Sequence, residues 1–150
     1  MNKLFIDTNI FYNILFETTY TPLARRILEE NSSAKYYTSA IIVNELLYIS
    51  TFKYFRDKGI VKGKLDLRKT LVKHGYPKEI VKGITGLLDE LGVEVLHDKQ
   101  DVNELVETAI LYRLLPSDAQ VAITCKHYNI NTIATLDKDF KRIPWLKTIP

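Results

Sequence analysis

The chain opens on a three-residue apolar run, Leu4-Phe5-Ile6, that stops at Asp7; Ile10, Phe11, Ile14 and Leu15 then fall at helical spacing. A strand this short and this uniformly apolar has no polar face to turn to water. It has to be buried on both sides, as the strands of a helix-covered parallel sheet are. Handovers of the same kind recur. Residues 35–38 precede a helical stretch at about 40–57, and Val93-Glu94-Val95-Leu96 precedes Val102, Leu105, Val106, Ala109 and Ile110 at helical spacing. Residues 132–136 form a further buried strand, and 143–149 supply a last edge strand. Thr21-Pro22 reads as a helix start with Thr21 as N-cap, and Ser117 with Gln120 as a capping box that puts Asp118 in a first turn. The alternation predicts an α/β sandwich around a parallel sheet.

Composition narrows the class. At 150 residues, with 46% hydrophobic and 26% charged side chains, the chain fits one globular domain rather than a disordered segment. A single cysteine, Cys125, leaves no internal disulfide and no cysteine-based zinc cluster. No signal peptide is recognisable, and no apolar run approaches the roughly 20 residues of a membrane span. The expectation is a soluble, cytoplasmic protein. The formal net charge of +3 is modest, but residues 56–82 hold nine Lys or Arg against three acids. That segment suits either a polyanion footprint or a solvated helical face.

Acids occupy positions that folding alone does not need. Asp7 and Asp137 each end a buried strand, and ligands of parallel sheets bind at that end. Asp7 is equally placed to cap the helix that follows it. Glu45 has Ile41, Ile42, Tyr48, Ile49 and Phe52 three, four and seven residues away, so it lies on an apolar stripe expected to be buried. A carboxylate there needs a partner or a metal. Asp118 opens an apolar helix that runs to about Tyr128. Carboxylates brought to one sheet edge repel one another unless a cation compensates them, and oxygen donors without histidine or thiol suit Mg²⁺ or Mn²⁺. Asp7, Glu45 and Asp118 are the candidate ligands, completed by Asp137 and Asp139.

Other chemistries lack their residues. An aspartyl-phosphate phosphatase needs a second Asp two positions after the first, where this chain has Asn9. A dinucleotide-binding turn needs glycines that Asp7-Thr8-Asn9-Ile10 does not supply. There is no P-loop and no recognisable nucleophile turn. His74, His97 and His127 lack metal spacing, and Cys125 reads as a small core residue. Tyr48 and Tyr54 sit on helix faces where packing is the expected role, although tyrosines also stack on bases.

Four stretches together resemble the ordered motifs of PIN-domain nucleases, with the stand-alone VapC-type toxin ribonucleases the nearest group. They are Phe5-Ile6-Asp7-Thr8-Asn9-Ile10-Phe11, Asn44-Glu45-Leu46, the run Pro116 to Ala122, and Thr135-Leu136-Asp137-Lys138-Asp139-Phe140. The resemblance covers nearly the whole chain. It implies a three-layer α/β/α fold and a metal-dependent endoribonuclease using Mg²⁺ or Mn²⁺. It also implies RNA as substrate, a small antitoxin as partner and a homodimer. Carried over by position, Asp7, Glu45, Asp118 and Asp137 are the catalytic acids, and Asp7, Asp118, Asp137 and Asp139 the metal ligands. The fourth acid falls at Asp137 or Asp139. Asn9 and Thr135 support the site. Residues 1–150 form one domain in which the basic helical segment at about 56–92 is longer than the family minimum, with Lys62, Lys64, Arg68 and Lys69 expected to hold RNA backbone. The alternative is an inactive PIN-like module that only binds RNA or protein.

Overall fold

A computed structural model describes residues 2–150. Five strands form one parallel sheet: β1 (Lys3–Ile6), β2 (Lys35–Ser39), β3 (Glu94–Leu96), β4 (Thr132–Ala134) and β5 (Lys147–Ile149). Their order across the sheet is β3-β2-β1-β4-β5. Register pairs Phe5 with Tyr37 on one side and with Ile133 on the other. Among the described residues the α-helices are α1 (Thr8–Leu15), α2 (Thr21–Glu30), α3 (Ala40–Asp57), α4 (Leu67–His74), α5 (Lys78–Glu90), α6 (Val102–Tyr112) and α7 (Pro116–His127).

The chain walks from β1 through β2 to β3 and then returns across β1 to lay down β4 and β5. Right-handed crossovers put the helices of the outward walk on one face and those of the return walk on the other. The packing agrees: α1 contacts α2, α3 and α5, while α6 and α7 pack on each other. This is the three-layer α/β/α sandwich. The reversal leaves a crevice between the carboxyl ends of β1 and β4, the place where such sheets bind ligands.

Leu4, Phe5, Ile6, Ile133 and Ala134 are almost fully buried, as their unbroken apolar runs require. Helix α7 is buried from Ala119 to Cys125 apart from Gln120, so it has a central position. Several local readings are corrected. Thr21 is the first residue of α2 and Tyr20 its N-cap. The buried Thr21 hydroxyl donates to the Asn13 carbonyl at 2.6 Å, tying α2 to α1. The N-cap of α7 is Leu115, without a side-chain cap, and Gln120 donates to the Lys99 carbonyl at 3.4 Å. Proline at the first position of α7 removes one unpaired amide, which lessens the need for a capping box. Strand β4 ends at Ala134, because Thr135 and Leu136 turn into the site described below. On α6 only Leu105, Ala109 and Tyr112 reach the core, whereas Val102, Val106 and Ile110 face solvent. No helix among the described residues is long and apolar enough to cross a membrane.

Candidate active site

The handover from β1 to α1 places Asp7 at the crevice. Its backbone amide continues the ladder to the Ala134 carbonyl (3.0 Å), and Oδ1 accepts from the Thr8 amide (2.8 Å) as the N-cap of α1. Its other oxygen is held from β4. Oδ2 accepts from the Thr135 hydroxyl at 2.6 Å and from Asn9 Nδ2 at 3.3 Å. Capping and site-building are therefore done by different oxygens of one carboxylate. Asn9 is fixed in turn, since its Oδ1 accepts from the Leu136 amide at 3.0 Å. The Thr135 oxygen also accepts from the Asp137 amide at 3.0 Å, so this hydroxyl joins the two strand-end acids.

Asp7, Glu45, Asp118 and Asp137 line one cleft of about 390 Å³, with Asn9, Tyr12 and Tyr48 on its walls. Another cavity, of about 400 Å³ beside Trp145 and Lys126, contains no carboxylate. Glu45 is half-buried rather than buried, because Tyr48 and Ile49 of its stripe line the cleft while Ile41 and Ile42 pack into the core. Its Oε2 accepts from the Thr8 hydroxyl at 2.7 Å. Asp118 reaches the cleft from the first turn of α7. Asp139 takes a different role. Its amide donates to Asp137 Oδ1 (2.9 Å), its own carboxylate pairs with Arg142 (2.7 Å), and it does not line the cleft. Oxygens of Asp118, Asp137 and Asp139 nonetheless lie within 4.8 Å of one another, a group that excludes Asp7. Asp118 and Asp137 belong to both sets and are the centre of the arrangement.

The electrostatics are those of an uncompensated anionic site. Burial pushes the Asp7 carboxyl up to about 6 against its hydrogen bonds to Thr135 and Thr8, and the charges of Glu45 and Asp137 push the same way. Burial, then the neighbouring acids led by Asp137, lifts Asp118 to about 7. No lysine or arginine pairs with Asp7, Glu45, Asp118 or Asp137 among the described residues. Such a set of hard oxygen donors fits a divalent cation of the Mg²⁺ or Mn²⁺ type. Burial and the Asp7 charge also raise the Cys125 thiol, consistent with a core residue and not a nucleophile.

A family model described as the PIN domain matches residues 4–146. The chain belongs to the PIN-domain family. This PIN-domain protein is 27% identical to ribonuclease VapC6 of Methanocaldococcus jannaschii over 99% of its own length and 97% of that protein. Ribonuclease VapC2 of the same organism is 26% identical over 99% and 93%. Among solved structures, VapBC2 from Rickettsia felis bound to a promoter DNA fragment matches with a TM-score of 0.62 at 17% identity, covering 98% of this chain and 97% of that one. FitAcB from Neisseria gonorrhoeae matches with a TM-score of 0.53 at 20% identity, over 98% and 96%.

Sequence reasoning overlooked Thr8, Tyr12 and Tyr48 as cleft residues. Tyr48 was expected to pack, yet it is 44% exposed on the cleft wall, while Tyr54 does pack against the core. Its position three residues after Glu45 puts it on the same side of α3 and was the available signal. Lys62, Lys64, Arg68 and Lys69 are all exposed, and none lines the cleft. They lie on and just before α4, beyond the small cluster of Phe55, Val61 and Leu67 that holds this segment against α3.

Proposed function

We propose that this protein is a metal-dependent endoribonuclease, the toxin of a toxin–antitoxin pair, working with Mg²⁺ or Mn²⁺. The observation that carries the reading is the convergence of Asp7, Glu45, Asp118 and Asp137 on one cleft, with no basic residue paired to them among the described residues. The names of the two relatives support ribonuclease activity. The VapBC and FitAcB neighbours support an antitoxin partner. The family match over 4–146 supports one nuclease domain, which we read as carrying the basic segment 56–92 as an insertion. The exposed apolar side chains Val102, Val106 and Ile110 of α6 support a homodimer.

A divalent cation bound there would supply Lewis acidity and make a bound water more acidic than bulk water. The chain supplies position and proton handling. Asp118 and Asp137 would hold the cation, joined by Asp7 or Asp139. Thr135 and Asn9 orient Asp7. Glu45, anchored through Oε2 by Thr8, keeps its second oxygen to accept a proton from the attacking water. An inactive binding module is the competing reading, and a metal titration separates them. EDTA-treated protein should leave a single-stranded RNA intact and cleave it when Mn²⁺ or Mg²⁺ is restored. RNA left whole at every metal concentration would favour the inactive module.

Thr135→Val tests the support role. The variant removes the hydroxyl shared by Asp7 Oδ2 and the Asp137 amide. The Mn²⁺ concentration for half-maximal cleavage should rise about 10- to 100-fold, the usual effect of losing a ligand's orienting partner. An unchanged metal requirement would remove Thr135 from the site.

Neutralising Lys62, Lys64, Arg68 and Lys69 together should flatten the salt dependence of RNA binding by a log–log slope of about 3, if each contacts a phosphate. These side chains are solvent-exposed and outside the core, so the fold should survive. An identical slope would mean that they form only a solvated face.

A further inference from the structure

Beside the acid cleft lies a second cavity of about 290 Å³ between α3, α4 and the loop after α4. Tyr48 lines both, so the two adjoin. The inner wall is Leu67 and Leu71 of α4, and Asn44 stands exposed at the rim. Tyr76 closes the far side with 51% of its surface open. Thr51 is fully buried on the α3 wall, and its hydroxyl has no hydrogen-bond partner. A threonine inside a helix ordinarily bonds back to the preceding turn, so an unpartnered one at a cavity wall is unusual.

We propose that this cavity receives one unpaired nucleobase of the RNA strand whose backbone crosses the carboxylates. The proposal rests on the ribonuclease reading and adds a base subsite to it. Three features select this occupant. The volume lies at the lower end of small-ligand clefts, enough for a flat ring system. Two half-open tyrosines offer the faces on which bases stack, and Asn44 offers an amide to a base edge. The outer surface of α4 carries Arg68, Lys69 and Lys73, all exposed and none ion-paired among the described residues, which draws a polyanion toward this wall. A base in a duplex stays stacked on its neighbours and cannot enter, so the site selects single-stranded or splayed-out nucleotides. Tyr48, shared by both cavities, places that base next to the reacting phosphodiester.

The test is equilibrium binding in EDTA, where no cleavage occurs, with a labelled single-stranded RNA decamer, its duplex, and decamers carrying one abasic ribonucleotide at successive positions. Tyr76→Ala should weaken decamer binding about tenfold, the value of one stacked base, and Tyr76→Phe should not. Duplex binding should be equal in all three proteins. One abasic position should reproduce the loss in the wild type and add nothing to Tyr76→Ala. Unaltered decamer binding by Tyr76→Ala overturns the subsite, as does an equal loss on the duplex. So does failure of the wild type to bind the decamer, the result expected if the cavity anchors a protein side chain instead. The two readings fail separately. Tyr76-dependent binding without cleavage in any metal keeps the subsite and removes the nuclease; cleavage with Tyr76-independent binding does the reverse.

Discussion

Asp118→Asn should lose metal-dependent RNA cleavage by at least about 100-fold and, in EDTA at pH 8, unfold at a higher temperature than the wild type. The two effects have one origin. Asp118 belongs both to the cleft lining and to the group of close carboxylates with Asp137 and Asp139. A cation held there stabilises developing phosphoryl charge by several kcal/mol, and each 1.36 kcal/mol of barrier is tenfold in rate. Without the cation the same carboxylate is repelled by Asp137, Asp7, Glu45 and Asp139. The neutral amide keeps the shape and removes that repulsion, so a gain of about 3 °C in Tm is expected from roughly 1 kcal/mol. Cleavage assays with a Mn²⁺ titration, alongside thermal melts in EDTA, check both halves. Wild-type activity in the variant would dismiss Asp118 as a ligand. Lost activity with a lowered melting temperature would point to structural damage.

The second large effect is on stability against pH. Asp7 titrates near 6 in the folded chain, against about 3.9 when unfolded, and Asp118 is raised further, to about 7. The folded state therefore holds more protons than the unfolded state over this interval. The stabilisation linked to those protons is complete below about pH 4 and is lost as pH rises through 6 and 7. For the buried Asp7 the difference amounts to about 3 kcal/mol. Metal-free protein should accordingly melt higher at pH 5 than at pH 8, against the common behaviour of proteins whose carboxylates are salt-bridged. Saturating Mn²⁺ should reverse the order, because ligation requires the deprotonated acids and stabilises the form that the metal-free protein disfavours. Melts across pH 4–8, with EDTA and with Mn²⁺, decide it. A flat or rising EDTA curve would mean that the acids are farther apart or better solvated than the geometry has them.

The cost of the uncompensated acids accounts for much of the local construction. Thr8, Asn9 and Thr135 are all spent on holding carboxylates, and all three lie within two residues of a site acid. Burial drives Asp7 away from ionisation, while the Thr135 hydroxyl and the Thr8 amide pull it back. Asp139 is diverted to Arg142, which lowers the negative charge crowding Asp137. In the sequence the choice between Asp137 and Asp139 was open, because the fourth acid of the resembled family varies between these two positions. Both follow β4 within five residues, and only the turn Lys138–Arg142 separates the one facing the cleft from the one facing an arginine.

Local pattern was sufficient wherever the physics is local. A short apolar run that stops at an acid and is followed at once by helical spacing marked β1, and the run Ile133-Ala134 marked β4, so both strands were legible, with Asp7 directly after β1 and Asp137 three residues past β4. Helical spacing located α3 and α7, hence the helices carrying Glu45 and Asp118. The four motifs in order were enough to identify the family, and they carried the acid set as an expectation. The tertiary structure alone decided which acids meet, since Asp7 and Asp137 are 130 positions apart and become neighbours only through the β1–β4 pairing at the reversal of strand order. It also decided what the stripe around Glu45 faces. Periodicity reports that a helix face is apolar but not whether a core or a cleft lies opposite, and here Tyr48 meets the cleft. The same limit applies to α6, whose spacing resembles a buried face while Val102, Val106 and Ile110 remain in water. Burial is set by what the rest of the chain brings alongside, and no window of sequence contains that.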